Sequence, residues 1–134
     1  MKTFLLFTVF LIVSMTAFSQ TYFTSKKYAV CLYNSSSKEY DICDFFDSNS
    51  LFKVSSDESS ISFTSPDESS VYYVMEQSFD EETSQFWYLV RFNSEIEHII
   101  VIDLINNEIR VLIADSENNA ILYYLIDDMW TENK

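Results

Sequence analysis

Two cysteines, one histidine and 21 carboxylates are the side chains of this chain best equipped for chemistry. Cys31 and Cys43 come first. A turn centred on Ser37 places Leu32 opposite Ile42 and Cys31 opposite Cys43, and directly opposed cysteines suit a disulfide. The spacing is not the Cys-x-x-Cys of redox catalysts. The expectation is a structural bridge, with two free buried thiols as the alternative. His98 is the sole histidine, and its neighbours on one strand face are Ile96 and Ile100. A metal site or a general base would want carboxylates there, so a core histidine is expected. The carboxylates cluster as Asp57-Glu58, Asp67-Glu68, Asp80-Glu81-Glu82 and Asp127-Asp128. Such pairs can bind calcium or move protons. These lack calcium-loop spacing and read as solvated turn charge. No catalytic, metal or cofactor residue is therefore expected.

The chain has no glycine. Phosphate-cradling loops need glycine for close backbone approach, so every glycine-based nucleotide motif is excluded, as is the glycine-flanked serine elbow. Tight turns must fall to Asn, Asp and Ser, which tolerate unusual backbone angles. The formal charge is −13. Nucleic acid is disfavoured as a partner, because phosphate binding draws on Lys and Arg. Anionic lipid would repel the chain as well. A charge of this sign serves solubility or a basic protein partner.

Met1-Lys2 is followed by an apolar run densest from Phe4 to Val13, then Ala17-Phe18-Ser19 before Gln20. That is the layout of a secretory signal peptide cut after Ser19. An uncleaved anchor is the alternative, since no charge occurs from Thr3 to Ser25. The dense run is short for a spanning helix, which needs roughly 20 apolar residues. Removing residues 1–19 takes away Lys2 and leaves 134 − 19 = 115 residues with a charge of −14. The expectation is one domain, 20–134, secreted or periplasmic, with no stable membrane insertion after cleavage.

From Tyr22 onward the chain alternates β-branched and aromatic residues with polar ones, the mark of strands. Polar breaks fall at Asn34 to Ser37, Asp47 to Ser50, Ser55 to Ser60, Ser65 to Ser70, Asp80 to Ser84, Asn93 to Glu95, Asn106-Asn107 and Asp115 to Asn119. The sequence Ser55 to Ser60 echoes at Ser65 to Ser70, which suggests two successive hairpin turns. Register follows from pairing chemistry. A turn centred on Ser94 pairs Phe92 with Ile96, Val90 with His98, Tyr88 with Ile100 and Phe86 with Ile102. Its other face pairs Arg91 with Glu97, Leu89 with Ile99 and Trp87 with Val101. A two-residue turn at Asn106-Asn107 pairs Leu104 with Ile109, Ile102 with Val111 and Ile100 with Ile113. Its other face pairs Asp103 with Arg110 and Val101 with Leu112. Matched cross-strand pairs of this kind contribute roughly 0.2–1 kcal/mol each.

The face from Phe86 to Ile113 should be the core, extended by Val71, Tyr73 and Met75 and by Ile121, Tyr123 and Leu125. The opposite face gathers Trp87, Leu89, Ile99, Val101 and Leu112 into an apolar patch. Such a patch is either covered by the N-terminal strands or the Trp130 tail, or marks an interaction surface. The dense aromatics default to core packing, with a sugar or lipid platform as the lesser reading.

The expected fold is all-β, an antiparallel meander of about eight strands, closed or nearly closed into a small barrel. Ser19-Gln20, Ser50-Leu51-Phe52, Asp57-Glu58, Ser70 to Val74, Phe79 to Glu82 and Asn107 to Arg110 resemble a class of small secreted all-β proteins of unknown function from Gram-negative bacteria. The resemblance spans Ser50 to Ile113; it implies compartment and fold, and brings no catalytic residue. Two roles remain open. One is a non-enzymatic interaction protein that binds or inhibits a basic partner through its surface. The other is a carrier of a small apolar ligand inside the barrel.

Overall fold

The computed structural model describes residues 19–92, 96–113 and 120–133. The expected signal segment up to residue 18 and the breaks at 93–95 and 115–119 lie outside the described residues. Eight antiparallel strands follow one another around a ring: β1 (Ser19–Asn34), β2 (Glu39–Val54), β3 (Ser60–Thr64), β4 (Ser69–Asp80), β5 (Gln85–Phe92), β6 (Ile96–Asp103), β7 (Glu108–Ile113) and β8 (Ala120–Asn133). β8 pairs back onto β1, so the meander forms a barrel. The ring of hydrogen bonds is uneven about its axis, and the barrel is nearly closed.

The interior is filled. Phe23, Phe52, Ile61, Val90, Ile100, Ile109 and Val111 are buried together. The Tyr124 ring lies 4.9 Å from Phe52 and 5.5 Å from Phe63. An eight-stranded barrel is just wide enough for such filling.

The β5–β6 pairing matches the expected register at every position from Phe86↔Ile102 to Phe92↔Ile96. Cys31 faces Cys43 and Leu32 faces Ile42, as expected, and the cysteines form a disulfide. The two serine-rich segments do close successive hairpins, β2–β3 and β3–β4.

The β6–β7 hairpin differs. Asp103 pairs with Glu108, Ile102 with Ile109 and Val101 with Arg110, two residues off the expected register. The loop is four residues long, Leu104 to Asn107, because Asp103 caps it. The Asp103 Oδ1 accepts the backbone N–H of Ile105 at 3.1 Å and of Asn106 at 3.0 Å. A shift of two preserves which residues share a face. The expected Asp103–Arg110 ion pair survives on the diagonal, at 3.6 Å.

Two other expectations are overturned. In β4, Tyr72 and Val74 pack against the core, while Val71, Tyr73 and Met75 are exposed. In β8, Leu122, Tyr124 and Ile126 face inward, and Ile121 is buried on the outer side. Both segments are apolar at nearly every position, so their own alternation cannot choose a face; the neighbouring strand does. The break at Asp47 to Ser50 is absent as well, since β2 runs through it beside a bulge in β1 between Ser25 and Lys27. Asp127 and Asp128 stand in β8, not in a turn. Ile96 is exposed where β6 begins, and the side chain of Ile113 lies outside the described residues.

The same turn device recurs three times. Asn34, Asp80 and Asp103 each precede a four-residue loop and pair with Glu39, Gln85 and Glu108. Each side-chain oxygen accepts a loop N–H, at 2.9 Å from Ser36, 3.0 Å from Glu82 and 3.1 Å from Ile105. Each loop ends on a left-handed residue, Lys38, Ser84 or Asn107, with φ of 60°, 51° and 53°. Glycine would ordinarily take that place.

Asp103 is the most buried of these caps. It also accepts Gln85 Nε2 at 2.9 Å and Asn106 Nδ2 at 2.8 Å. Burial pushes its carboxyl upward. The Asn106 and Gln85 hydrogen bonds and the Arg110 charge outweigh burial and hold it below the usual range. A carboxyl with a lowered folded pKa adds stability above its unfolded value, about 3.9, and loses it as pH falls through the folded value. Asp103→Ala should cost roughly 1–3 kcal/mol at pH 7 by leaving these donors unpaired. Urea unfolding should show that cost shrinking below about pH 4.

Candidate functional site

The five expected patch residues share the outer face of the barrel, and the shifted hairpin leaves them together. Leu89 pairs with Ile99, and Ile99 with Leu112; Trp87 pairs with Val101. Neither β1, β2 nor Trp130 lies across them. The strands make their contacts with sheet neighbours, and the Trp130 ring stacks on Tyr22 at 5.2 Å.

The patch is one end of a longer feature. Reading across the sheet, one row runs Leu89, Ile99, Leu112, Ile121, Cys31, Cys43. The adjacent row runs Trp87, Val101, Arg110, Tyr123, Ala29, Phe45. Together they form an apolar belt across six strands, and Arg110 is its single charged residue. Its floor is closely packed: Val101, Cys31, Ala29 and Ile121 are buried. Val101, at 1 % exposure, is therefore packing and not contact surface. The ends stand out, with Phe45 72 % exposed and Trp87 38 % exposed. The Trp87 indole N–H donates to Gln85 at 3.2 Å.

Charge flanks the belt on both sides. Arg91 and Glu97 pair at 3.3 Å on one side. On the other, Asp103 and Glu108 lie beside Arg110 at 3.6 and 3.9 Å. Burial pushes the Glu108 carboxyl up, against the pull of Arg110. Sequence reasoning found the Trp87 end from the β5–β6 alternation. It missed the Phe45 end, because joining the two requires the facing of β8 and β1.

A second feature lies inside one barrel end. A cavity of about 420 Å³ is lined by Phe23, Val54, Phe86, Tyr88, Ile102 and Leu104, with Met129 at its edge and the turn Ser55 to Glu58 above it. The Tyr88 hydroxyl donates to Glu58 Oε1 at 3.1 Å. Burial raises the Tyr88 phenol well above its usual value, and the Glu58 charge adds to that.

His98 sits on the inner face opposite Val90, 8 % exposed, in an edge-to-face contact with Tyr72 at 5.8 Å between ring centres. Its Nδ1 has no hydrogen-bond partner among the described residues. Burial lowers its pKa. Among the described residues, no group of three or more His, Cys, Asp or Glu is placed to hold a metal ion. Nor is any helix among them long and apolar enough to cross a membrane.

No family model, curated protein or solved structure matches the chain.

Two measurements test these placements. A histidine neutral when folded and protonated when unfolded adds stability above its unfolded pKa, about 6.5, and loses it as pH falls through the folded value. His98→Phe should therefore flatten the fall in urea midpoint on acidification below about pH 6.5. The Cys31–Cys43 bridge spans a sequence separation of 12. Replacing both cysteines by serine should cost roughly 3 kcal/mol in the chain-entropy treatment. Intact mass should show two alkylated thiols after reduction and none before.

Proposed function

We propose that this protein is an extracytoplasmic, non-enzymatic binding protein that holds a basic protein partner against its outer belt. The observation that carries the reading is the pair of adjacent apolar rows from Trp87 to Phe45. A continuous apolar face with exposed aromatic ends and a charged surround has the anatomy of a protein interface, an apolar centre with a polar rim. Exposed aromatics at such a face are the residues that carry binding energy.

Charge supports the choice of partner. The chain carries −13 overall, while at the belt Glu97 is paired with Arg91, and Asp103 and Glu108 with Arg110. A basic partner would be steered to the chain by its overall charge. A second copy of the same chain would bring like charge to like. The barrel interior is apolar and its outer surface carries ion pairs. That is the inverse of a lipid-spanning barrel, and it favours a protein over a bilayer as the belt's partner.

The compartment is part of the same proposal. The disulfide accords with an oxidising environment, and the apolar N-terminal segment accords with export. The likeness to small secreted all-β proteins belongs here too.

The test is affinity capture from the exported fraction of the producing cell, with wild type beside the Phe45→Ser/Trp87→Ser double variant. Wild type should retain a basic protein that is released by about 0.5 M salt, where charge is screened within a few Å. The double variant, folded by circular dichroism, should lose it. Equal retention by the variant, or a complex indifferent to salt, would overturn the reading.

A further inference from the structure

The barrel-end cavity is separate from the belt. Its walls are apolar, and the polar atoms reaching it come from the Ser55 to Glu58 turn and from the ends of the flanking strands. Its volume, about 420 Å³, falls within the range of small-molecule pockets, about 300–1,000 Å³.

Glu58 is the unusual residue. It has φ of 57°, a conformation that costs a non-glycine residue roughly 1–3 kcal/mol. Lys38, Ser84 and Asn107 adopt the same conformation to close the four-residue hairpins. Glu58 lies in a longer connection, and its side chain turns inward to the barrel, where Tyr88 donates to Oε1. Asp57 beside it is spent on the turn: its Oδ1 accepts Ser55 Oγ, Ser59 N and Ser59 Oγ. The other Glu58 oxygen, Oε2, accepts no hydrogen bond from the described residues. The cavity is thus a largely apolar chamber at which the described residues leave two carboxylate oxygens without a donor, Asp57 Oδ2 on an exposed residue of the turn and Glu58 Oε2 beside the Tyr88 bond. Among the described residues, no Lys or Arg lines it.

We infer that this cavity binds a small amphipathic amine, its apolar body against Phe23, Phe86 and Ile102 and its ammonium on Glu58. A charge-assisted hydrogen bond to a carboxylate is about twice as strong as a neutral one. The same carboxylate, with Asp57 beside it, repels a fatty-acid headgroup. The site therefore selects by the sign of the head as well as by the shape of the tail. Tyr88 keeps the carboxylate aimed inward by bonding its first oxygen.

The test uses the exported protein and three matched probes below their micelle concentrations: octylamine, octanol and octanoate. Calorimetry should give octylamine roughly tenfold tighter than octanol, about 1.4 kcal/mol, and octanoate weaker than both. Glu58→Gln should bring octylamine down to the octanol value. Leu104→Trp, which fills the cavity, should abolish binding of all three; Met129→Trp serves if that variant does not fold. The belt variant Phe45→Ser/Trp87→Ser should bind octylamine as wild type does, so failure here is distinct from failure of the surface reading. Octanoate binding as tightly as octylamine would overturn the inference. So would an amine preference that survives Glu58→Gln, or binding that survives filling of the cavity.

Discussion

An open sheet leaves a row of unpaired N–H and C=O groups along each edge, and the pairing of β8 with β1 removes both edges at once. That seam runs from Ser19↔Asn133 to Leu32↔Ala120, nearly the length of both strands. The rest follows from it. Bringing β8 to β1 turns one sheet face into an enclosed interior, so Tyr124 of β8 can meet Phe52 of β2 and Phe63 of β3 across the barrel. It also lays Ile121 and Tyr123 beside Cys31 and Ala29 on the outside. Without the seam the outer belt would be two unconnected patches. The seam is bought with irregularity, since β1 slips register near Ser25 against both neighbours, and such bulges let long strands coil around a small barrel.

The absence of glycine is the second constraint, and it acts through the hairpins. Three loops need a left-handed residue at their ends, and Lys38, Ser84 and Asn107 supply it. Only the last is a residue type that tolerates the conformation well. The Asx side chain that opens each loop offsets the strain by holding the N–H of the second loop residue. This explains why a two-residue turn at Asn106-Asn107 was a reasonable reading and still wrong. Asn-Asn is a fair hairpin pair by itself, but Asp103, three residues earlier, offers a cap for a longer loop. The dipeptide alone favours the short turn; the cap at Asp103, spaced as in the Asn34 and Asp80 loops, decides for the longer one.

Legibility in this sequence tracks asymmetry between strand faces. The β5–β6 pair was readable to the residue, because Arg91 and Glu97 mark the outer face and only one register aligns them. Cys31 and Cys43 were readable for the same reason: one pairing satisfies both the turn and the sulfur chemistry. The segments Val71 to Met75 and Ile121 to Ile126 were not. Both of their faces are apolar, so a slip of one residue changes little in the strand itself. Their facing is set by partners distant in sequence, Val90 for β4 and Ile109 for β8. The candidate site was half legible on these terms. The Trp87 end rests on charged markers in adjacent strands; the Phe45 end rests on a closure that no local pattern encodes. The cavity was not legible at all, since a void depends on which side chains fail to meet.

The filled interior gives the two proposed sites their positions. With Phe52, Ile61, Val90 and Ile100 packed at the centre, no ligand chamber can run through the barrel, and space remains only where the strand ends diverge. At that end Tyr88 is the last buried residue of its row before half-buried Phe86, so its hydroxyl needs a partner within reach. A glycine at position 58 would relieve the backbone and leave the phenol unpaired in an apolar chamber, at a cost of about 1–3 kcal/mol. That cost is of the same size as the strain it would remove. Stability alone therefore gives little reason to prefer Glu58. What a glutamate adds beyond balance is a second carboxylate oxygen at the cavity lining, to which no described residue donates.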